Sequence, residues 1–256
     1  SDRQDGRRDP TSLGCFDRLF GRGLDRQGDP RPRNRGLSPR AQHPALPARE
    51  HVRLRLHERR RLGRGTLEID RYALALTQNL AKGAEADYEK YEFHRVVQAL
   101  QLFCSDDLGS FYLDILKDRL YTSASKSVAR RSAQTALWHI TQTLVKLMAP
   151  ILSFTAEEAW AVMGGKQDDS VMLHCFHKLP EQAADEALMA RWAAIRTVRA
   201  EVMKEIEAVR TAGQVGASLQ AEVTVQASGE KFAALASLGD DLRFVFITSA
   251  AKAVEV

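Results

Sequence analysis

Lysine is missing from the first 65 residues, and so is isoleucine. That stretch carries 17 arginines against 8 acids, six of the eight prolines in the chain and half of its glycines. Breaks such as Gly28-Asp29-Pro30-Arg31-Pro32-Arg33 exclude regular structure of useful length, so residues 1–65 read as disordered. Cysteine is equally scarce. Cys15, Cys104 and Cys175 are odd in number and far apart, which excludes a disulfide framework and fits a reducing, cytoplasmic setting. No apolar run reaches the 18 residues of a membrane span, and the amino terminus holds no apolar stretch of a secretory leader.

The absence of a uniform charge excludes another easy reading. The net +4 suggests a basic nucleic-acid binder, but residues 66–256 hold 20 cations against 25 anions. The basicity therefore sits in the part least suited to fold, and any contact of the remainder with RNA must be a local patch.

What is present after position 66 is mainly helical. Leu67, Ile69, Tyr72, Leu74, Leu76 and Leu80 begin a helical pattern, and Tyr91, Val96, Val97, Leu100 and Phe103 continue one. Ser105-Asp106-Asp107-Leu108-Gly109-Ser110 reads as an interruption, followed by the apolar positions Phe111, Leu113, Ile115, Leu116 and Leu120. A long helix is expected from about Ser127 to Met148, with a stripe of Ala133, Leu137, Ile140, Leu144 and Leu147 and a stop at Pro150. Thr155 and Glu158 have capping-box spacing for a further helix through Trp160, ended by Gly164-Gly165. A last long helix runs from near Asp185 through Leu188, Trp192, Ile195, Val202 and Val209 to Gly213. Leu219, Ala221, Val223 and Val225 alternate with polar residues as a strand; Lys231–Leu238 reads as a short helix and Arg243–Ile247 as a second strand.

The organisation expected is thus a disordered segment over 1–65, a helical bundle over 66–165, a connecting loop and long helix over 166–212, and a small α/β subdomain over 213–256 that reads as truncated.

Three strings are specific. Tyr88–Thr122 (YEKYEFHRVVQALQLFCSDDLGSFYLDILKDRLYT), Ser127–Trp160 (SVARRSAQTALWHITQTLVKLMAPILSFTAEEAW) and Gly216–Gln226 (GASLQAEVTVQ) resemble the anticodon-binding domain of bacterial isoleucyl-tRNA synthetases. The likeness covers about Leu67 to Val256, and FYLDILKDRLYT resembles the isoleucine enzyme rather than its valine and leucine relatives. It implies a class I ligase that attaches isoleucine to its tRNA with ATP, built from a nucleotide-binding catalytic domain, an inserted editing domain and this bundle on the anticodon stem. It also implies tRNA for isoleucine as partner and a monomer. Read one base out of frame, the codons for Asp9–Gly21 and Gly36–Arg60 permit strings similar to the sequence just ahead of this region in the same family. The first 65 residues therefore read as out-of-frame translation rather than as a basic RNA-gripping arm.

The family's ATP-site signatures, His-x-Gly-His and Lys-Met-Ser-Lys-Ser, are absent; Ser123-Ala124-Ser125-Lys126-Ser127 follows FYLDILKDRLYT and reads as a polar turn capping a helix. The carboxy-terminal cysteine pairs that bind zinc in many members are absent as well. No catalytic, cofactor or metal residues are expected here, ATP and zinc belonging to the parent enzyme, and the fragment alone should be inactive. The alternatives are a free-standing RNA-binding module and a non-functional remnant of a valine/leucine/isoleucine-type synthetase.

For tRNA, the candidate residues are Lys117, Arg119, Lys126, Arg130 and Arg131, clustered about one helix junction with Tyr121 between them. Cations there would neutralise phosphates, and a Tyr or Arg plane would stack on an unpaired base. The competing reading is an ordinary surface ion network of Asp114, Asp118 and Arg119. His174-Cys175-Phe176-His177 has metal-ligand residue types but reads as a loop with its apolar members tucked in. Cys104, Trp138, Trp160 and Trp192 lie on apolar faces and read as core.

Overall fold

The computed structural model of the chain describes residues 66–164, 169–180 and 186–256; the expected disorder over 1–65 lies outside them. The architecture is a helical bundle with a small two-stranded sheet. Helix α1 spans Glu68–Glu89, with Glu68 and Asp70 in its first turn, where carboxylates suit the helix dipole. Ile69, Tyr72, Ala73, Thr77, Ala81 and Ala84 form its buried face at spacings of three and four. The helix ends before Tyr91, whose backbone is left-handed (φ 60°) and whose side chain is 80% exposed. Tyr91 therefore belongs to a turn and not to the apolar face expected of it.

Helix α2 (Phe93–Leu102) and helix α3 (Leu113–Thr122) are joined without a break by a π-helical stretch, Phe103–Tyr112. The interruption expected at Ser105–Ser110 is a widening of the helix instead. Phe103, Cys104, Leu108, Phe111 and Tyr112 all reach the core from it. The exposed hydroxyls of Ser105 and Ser110 bond back to the carbonyls of Leu102 and Asp106, so the local polar residues serve the helix and do not end it.

Helix α4 (Val128–Met148) starts where Ser127 Oγ accepts the Arg130 N–H at 3.3 Å. Its expected stripe is buried throughout, and His139, Thr141, Gln142 and Thr143 are buried too, as befits the central helix of a bundle. Pro150 follows, and Ile151 and Leu152 turn back onto the Met148 carbonyl. Helix α5 (Ser153–Val162) then begins two residues before Thr155. No side chain caps it, so Thr155 and Glu158 do not form a capping box; Ser153 Oγ donates to the Ala149 carbonyl instead. Gly164, at φ +91°, leaves the helix in a conformation that L side chains rarely adopt.

Helix α6 (Glu186–Thr211) lays Leu188, Trp192, Ile195, Val198, Val202 and Ile206 into the core, while Val209 is only half-buried. Trp192 stacks on Tyr72 with centroids 5.5 Å apart, and its Nε1–H donates to Glu68 at 2.8 Å. A buried indole thus contributes both apolar area and a satisfied donor. The chain continues into strand β1 (Glu222–Ala227), helix α7 (Gly229–Ala236), helix α8 (Leu242–Phe246) and strand β2 (Ala250–Glu255). The strands run parallel, with Glu222 opposite Ala250 and Ala227 opposite Glu255, and the two helices form the crossover. Of Arg243–Ile247, expected as a strand, the first four residues are therefore helical and Ile247 ends the helix in a left-handed conformation (φ 56°). Leu242, Val245 and Phe246 are buried at a spacing of three and four, and packing overrides the β-branched and aromatic composition. These residues share one hydrophobic cluster with the bundle.

Candidate nucleic-acid interface

The turn between α3 and α4 brings the candidate cations to one end of the bundle. Lys126 is exposed in the turn, and Arg130 and Arg131 are half-buried on the first turn of α4. Arg130 Nη1 donates to the Ser123 carbonyl at 3.2 Å. Lys117 lies on the outer face of α3, its Nζ 2.8 Å from Asp114 and its side chain 53% exposed. Tyr121, 48% exposed, sits beside the turn. An exposed ring between cations is the combination that unpaired bases and phosphates accept.

Arg119 stands apart from the other four. Its guanidinium turns inward and grips Asp70 with two parallel bonds, Nη1 to Oδ1 at 3.2 Å and Nη2 to Oδ2 at 2.8 Å. The second N–H of Nη2 reaches the Ala129 carbonyl at 2.8 Å. With a side chain 10% exposed, facing a carboxylate that is 0% exposed, Arg119 is part of the interior and not of a surface ion network. Burial by itself would lower its pKa; the Asp70 charge overrides this and holds the guanidinium above its ordinary value.

Two hydroxyls complete the set. Tyr112 Oη donates to Asp70 Oδ1 at 2.8 Å, and Ser132 Oγ donates to Oδ2 while accepting the Leu67 N–H at 2.9 Å. Burial above all, then the charge and hydrogen bond of Asp70, pushes the Tyr112 phenol well above 10. Three side chains, from the π-helical stretch, α3 and α4, therefore converge on one carboxylate of α1 beneath the cationic turn. Sequence reasoning missed Asp70, Tyr112 and Ser132. The signal was an acid at helical spacing from Ala73, Thr77 and Ala81, on the face that α1 buries.

Asp114 has a second partner that sequence reasoning missed. Arg199 of α6 reaches it at 3.1 Å, and also donates to the Ser110 carbonyl (3.2 Å) and the Val245 carbonyl (2.8 Å), joining bundle and subdomain. Arg196, one turn earlier, pairs with Asp107 and lies over the Phe111 ring at 4.9 Å.

The His174–His177 group is divided among different neighbours. His174 Nε2 bonds Asp169 at 2.7 Å, Phe176 stacks on Tyr88 at 5.9 Å, and His177 Nε2 lies 2.9 Å from His139 Nδ1. Among the described residues no three His, Cys, Asp or Glu side chains converge as a metal site. Cys104 and Trp192 are buried in the core, Trp160 lies at its edge, and Trp138 is half-buried with its ring edge-on to His139 and His177. Among the described residues no helix is long and apolar enough to cross a membrane.

Residues 70–225, more than half of the chain, match the family model of the anticodon-binding domain of tRNA ligase. The chain belongs to this family of anticodon-binding domains. It is similar to the isoleucine–tRNA ligase of Azoarcus sp. (strain BH72), 67% identical over 189 residues, which are 74% of this chain and 20% of that relative. The isoleucine–tRNA ligase of Dechloromonas aromatica (strain RCB) is 66% identical over 188 residues, 73% of this chain and 20% of the relative. That of Thiobacillus denitrificans (strain ATCC 25259 / T1) is 61% identical over 188 residues, with the same two shares. The chain thus spans about a fifth of the length of the curated relatives it matches. Both the cationic turn and the Asp70 network lie inside the stretch matched to the anticodon-binding domain.

Proposed function

We propose that this chain is the tRNA-anticodon recognition part of an isoleucine–tRNA ligase, with tRNA for isoleucine as its partner. The parent enzyme joins isoleucine to that tRNA with ATP, as a cytoplasmic monomer. This chain takes no part in the chemical step and holds neither ATP nor zinc. What supports the reading is two-thirds identity with isoleucine–tRNA ligases over 189 and 188 residues, together with the anticodon-binding match over residues 70–225, which takes in the cationic turn.

The physical picture is modest. Lys126, Arg130 and Arg131, with Lys117 at the flank, neutralise phosphates of the anticodon stem-loop, and Tyr121 offers a plane to an unstacked base. Arg119 contributes from within, through the backbone that carries its neighbours. Because residues 66–256 are net acidic, long-range attraction is weak and the contact is local.

A gel-shift titration of the full chain at several salt concentrations tests this. The probes are a transcript of tRNA for isoleucine, the same transcript with a foreign anticodon stem-loop, and a random RNA duplex. The first should bind most tightly, with a salt slope corresponding to roughly three phosphates. Arg131→Ala should weaken binding and lower that slope by about one. Equal affinity for all three RNAs would overturn the proposal. No charging of tRNA with isoleucine is expected from the chain alone.

A further inference from the structure

We infer that Asp70 is a positioning residue for the RNA contact: through Arg119 and Ser132 it pins the first turn of α4 on both sides of Arg130 and Arg131. The inference rests on the anticodon-recognition reading and adds to it the device that aims the cations.

The first turn of a helix is its loosest part, because its N–H groups have no partners within the helix. In α4 that turn carries the two arginines, and its direction comes from contacts outside the helix. One is at Ala129, whose carbonyl accepts Arg119 Nη2. A second is at Ser132, whose hydroxyl bonds Asp70 and the Leu67 N–H, beside the Ser127 cap and the Arg130 bond to the Ser123 carbonyl. Arg130 and Arg131 are the two residues between these points. Asp70 stands behind both, since its two oxygens fix the Arg119 fork in the plane that aims the remaining N–H at Ala129.

The chemistry favours a geometric role over a stabilising one. A buried ion pair is often no better for stability than apolar side chains of similar volume. Apolar replacements, however, would not hold a backbone carbonyl. Tyr112 supplies an internal control: it gives Asp70 a hydrogen bond from the π-helical stretch, away from the first turn of α4.

Ser132→Ala and Tyr112→Phe each remove one hydroxyl from Asp70 and leave the ion pair in place. Thermal unfolding and tRNA affinity are measured for both in the full chain, beside Arg131→Ala. Both hydroxyl variants should lower the melting temperature, Ser132→Ala the more because its hydroxyl also accepts the Leu67 N–H. Only Ser132→Ala should lose affinity, by roughly five- to tenfold, a magnitude matching one lost hydrogen bond. Its salt slope should fall to that of Arg131→Ala, while Tyr112→Phe binds within about twofold of the parent, a difference smaller than one such bond. If Ser132→Ala does not fold, Arg119→Lys replaces it. That variant keeps a cation opposite Asp70, loses the bond to Ala129, and should show the same loss.

Parental affinity in Ser132→Ala, or an equal loss in Tyr112→Phe, overturns the positioning role while the interface stands, provided Arg131→Ala weakens binding. Unchanged affinity in Arg131→Ala removes the interface itself and the inference with it.

Discussion

Arg119→Met puts a number on the buried network. The substitution keeps much of the side-chain volume and removes the charge from a site where the opposing carboxylate is 0% exposed. Among the described residues, Asp70 would retain the Tyr112 and Ser132 hydroxyls alone. Removing one partner of a buried pair costs about 3–5 kcal/mol, because the other charge is left uncompensated. The Ala129 carbonyl loses a further bond, worth about 1 kcal/mol, part of which water restores at that half-buried residue. Against a total stability of roughly 5–15 kcal/mol, this is a large fraction. At about 2–4 °C per kcal/mol for a chain of this size, the melting temperature should fall by roughly 6–20 °C.

The companion variant, Asp70→Asn with Arg119→Met, removes both charges. Asparagine still accepts from Tyr112 Oη and donates toward Ser132 Oγ. It should recover about 2–3 kcal/mol of the loss, giving a coupling well outside additivity. Guanidinium unfolding followed by far-ultraviolet circular dichroism measures both. A loss below about 1 kcal/mol in Arg119→Met would show that the carboxylate is not isolated from water as the structure has it. Simple addition of the two single effects would refute the pairing.

The tyrosines give the pH dependence a sign. The Tyr88 phenol, pushed up to about 12 by burial, and that of Tyr112, higher than its usual 10, stay protonated in the folded chain while unfolded tyrosines ionise near pH 10. Their contribution is fully present below about pH 10 and is lost as pH rises toward 12 and beyond. Tyr88→Phe should flatten the alkaline fall in unfolding free energy; an unaltered fall would count against the burial of Tyr88. Arg199→Met removes the links to Asp114, Ser110 and Val245, so amide exchange should accelerate in α8 and β2 while α4 keeps its protection. Equal exchange in variant and parent would mean that the shared hydrophobic core alone holds the subdomain.

Much of this was legible where periodicity is long and regular. The stripe of α4 needs no tertiary information, because Ala133, Leu137, Ile140, Leu144 and Leu147 repeat over about four turns and Ser127 and Pro150 mark the ends. Arg243–Ile247 misled because five residues fit two periods, and only the placement of Val245 and Phe246 against the core decides between them. Arg119 misled for another reason. Its neighbours in sequence are Lys117 and Asp118, both exposed, and the acid that draws it inward is 49 residues away. Pattern reading locates a cation on a helix face; it does not show which distant carboxylate has been left in the interior to receive it.

The widened stretch between α2 and α3 sets the phase of everything that follows. A π turn takes in about one residue more than an α turn, so ten such residues carry surplus length that an α-helix would not hold. Shorten Phe103–Tyr112 by a single residue and the rest of α3 swings by about 100° around its axis. Arg119 would then leave Asp70 and Asp114 would leave Arg199, so two distant anchors depend on one count of residues.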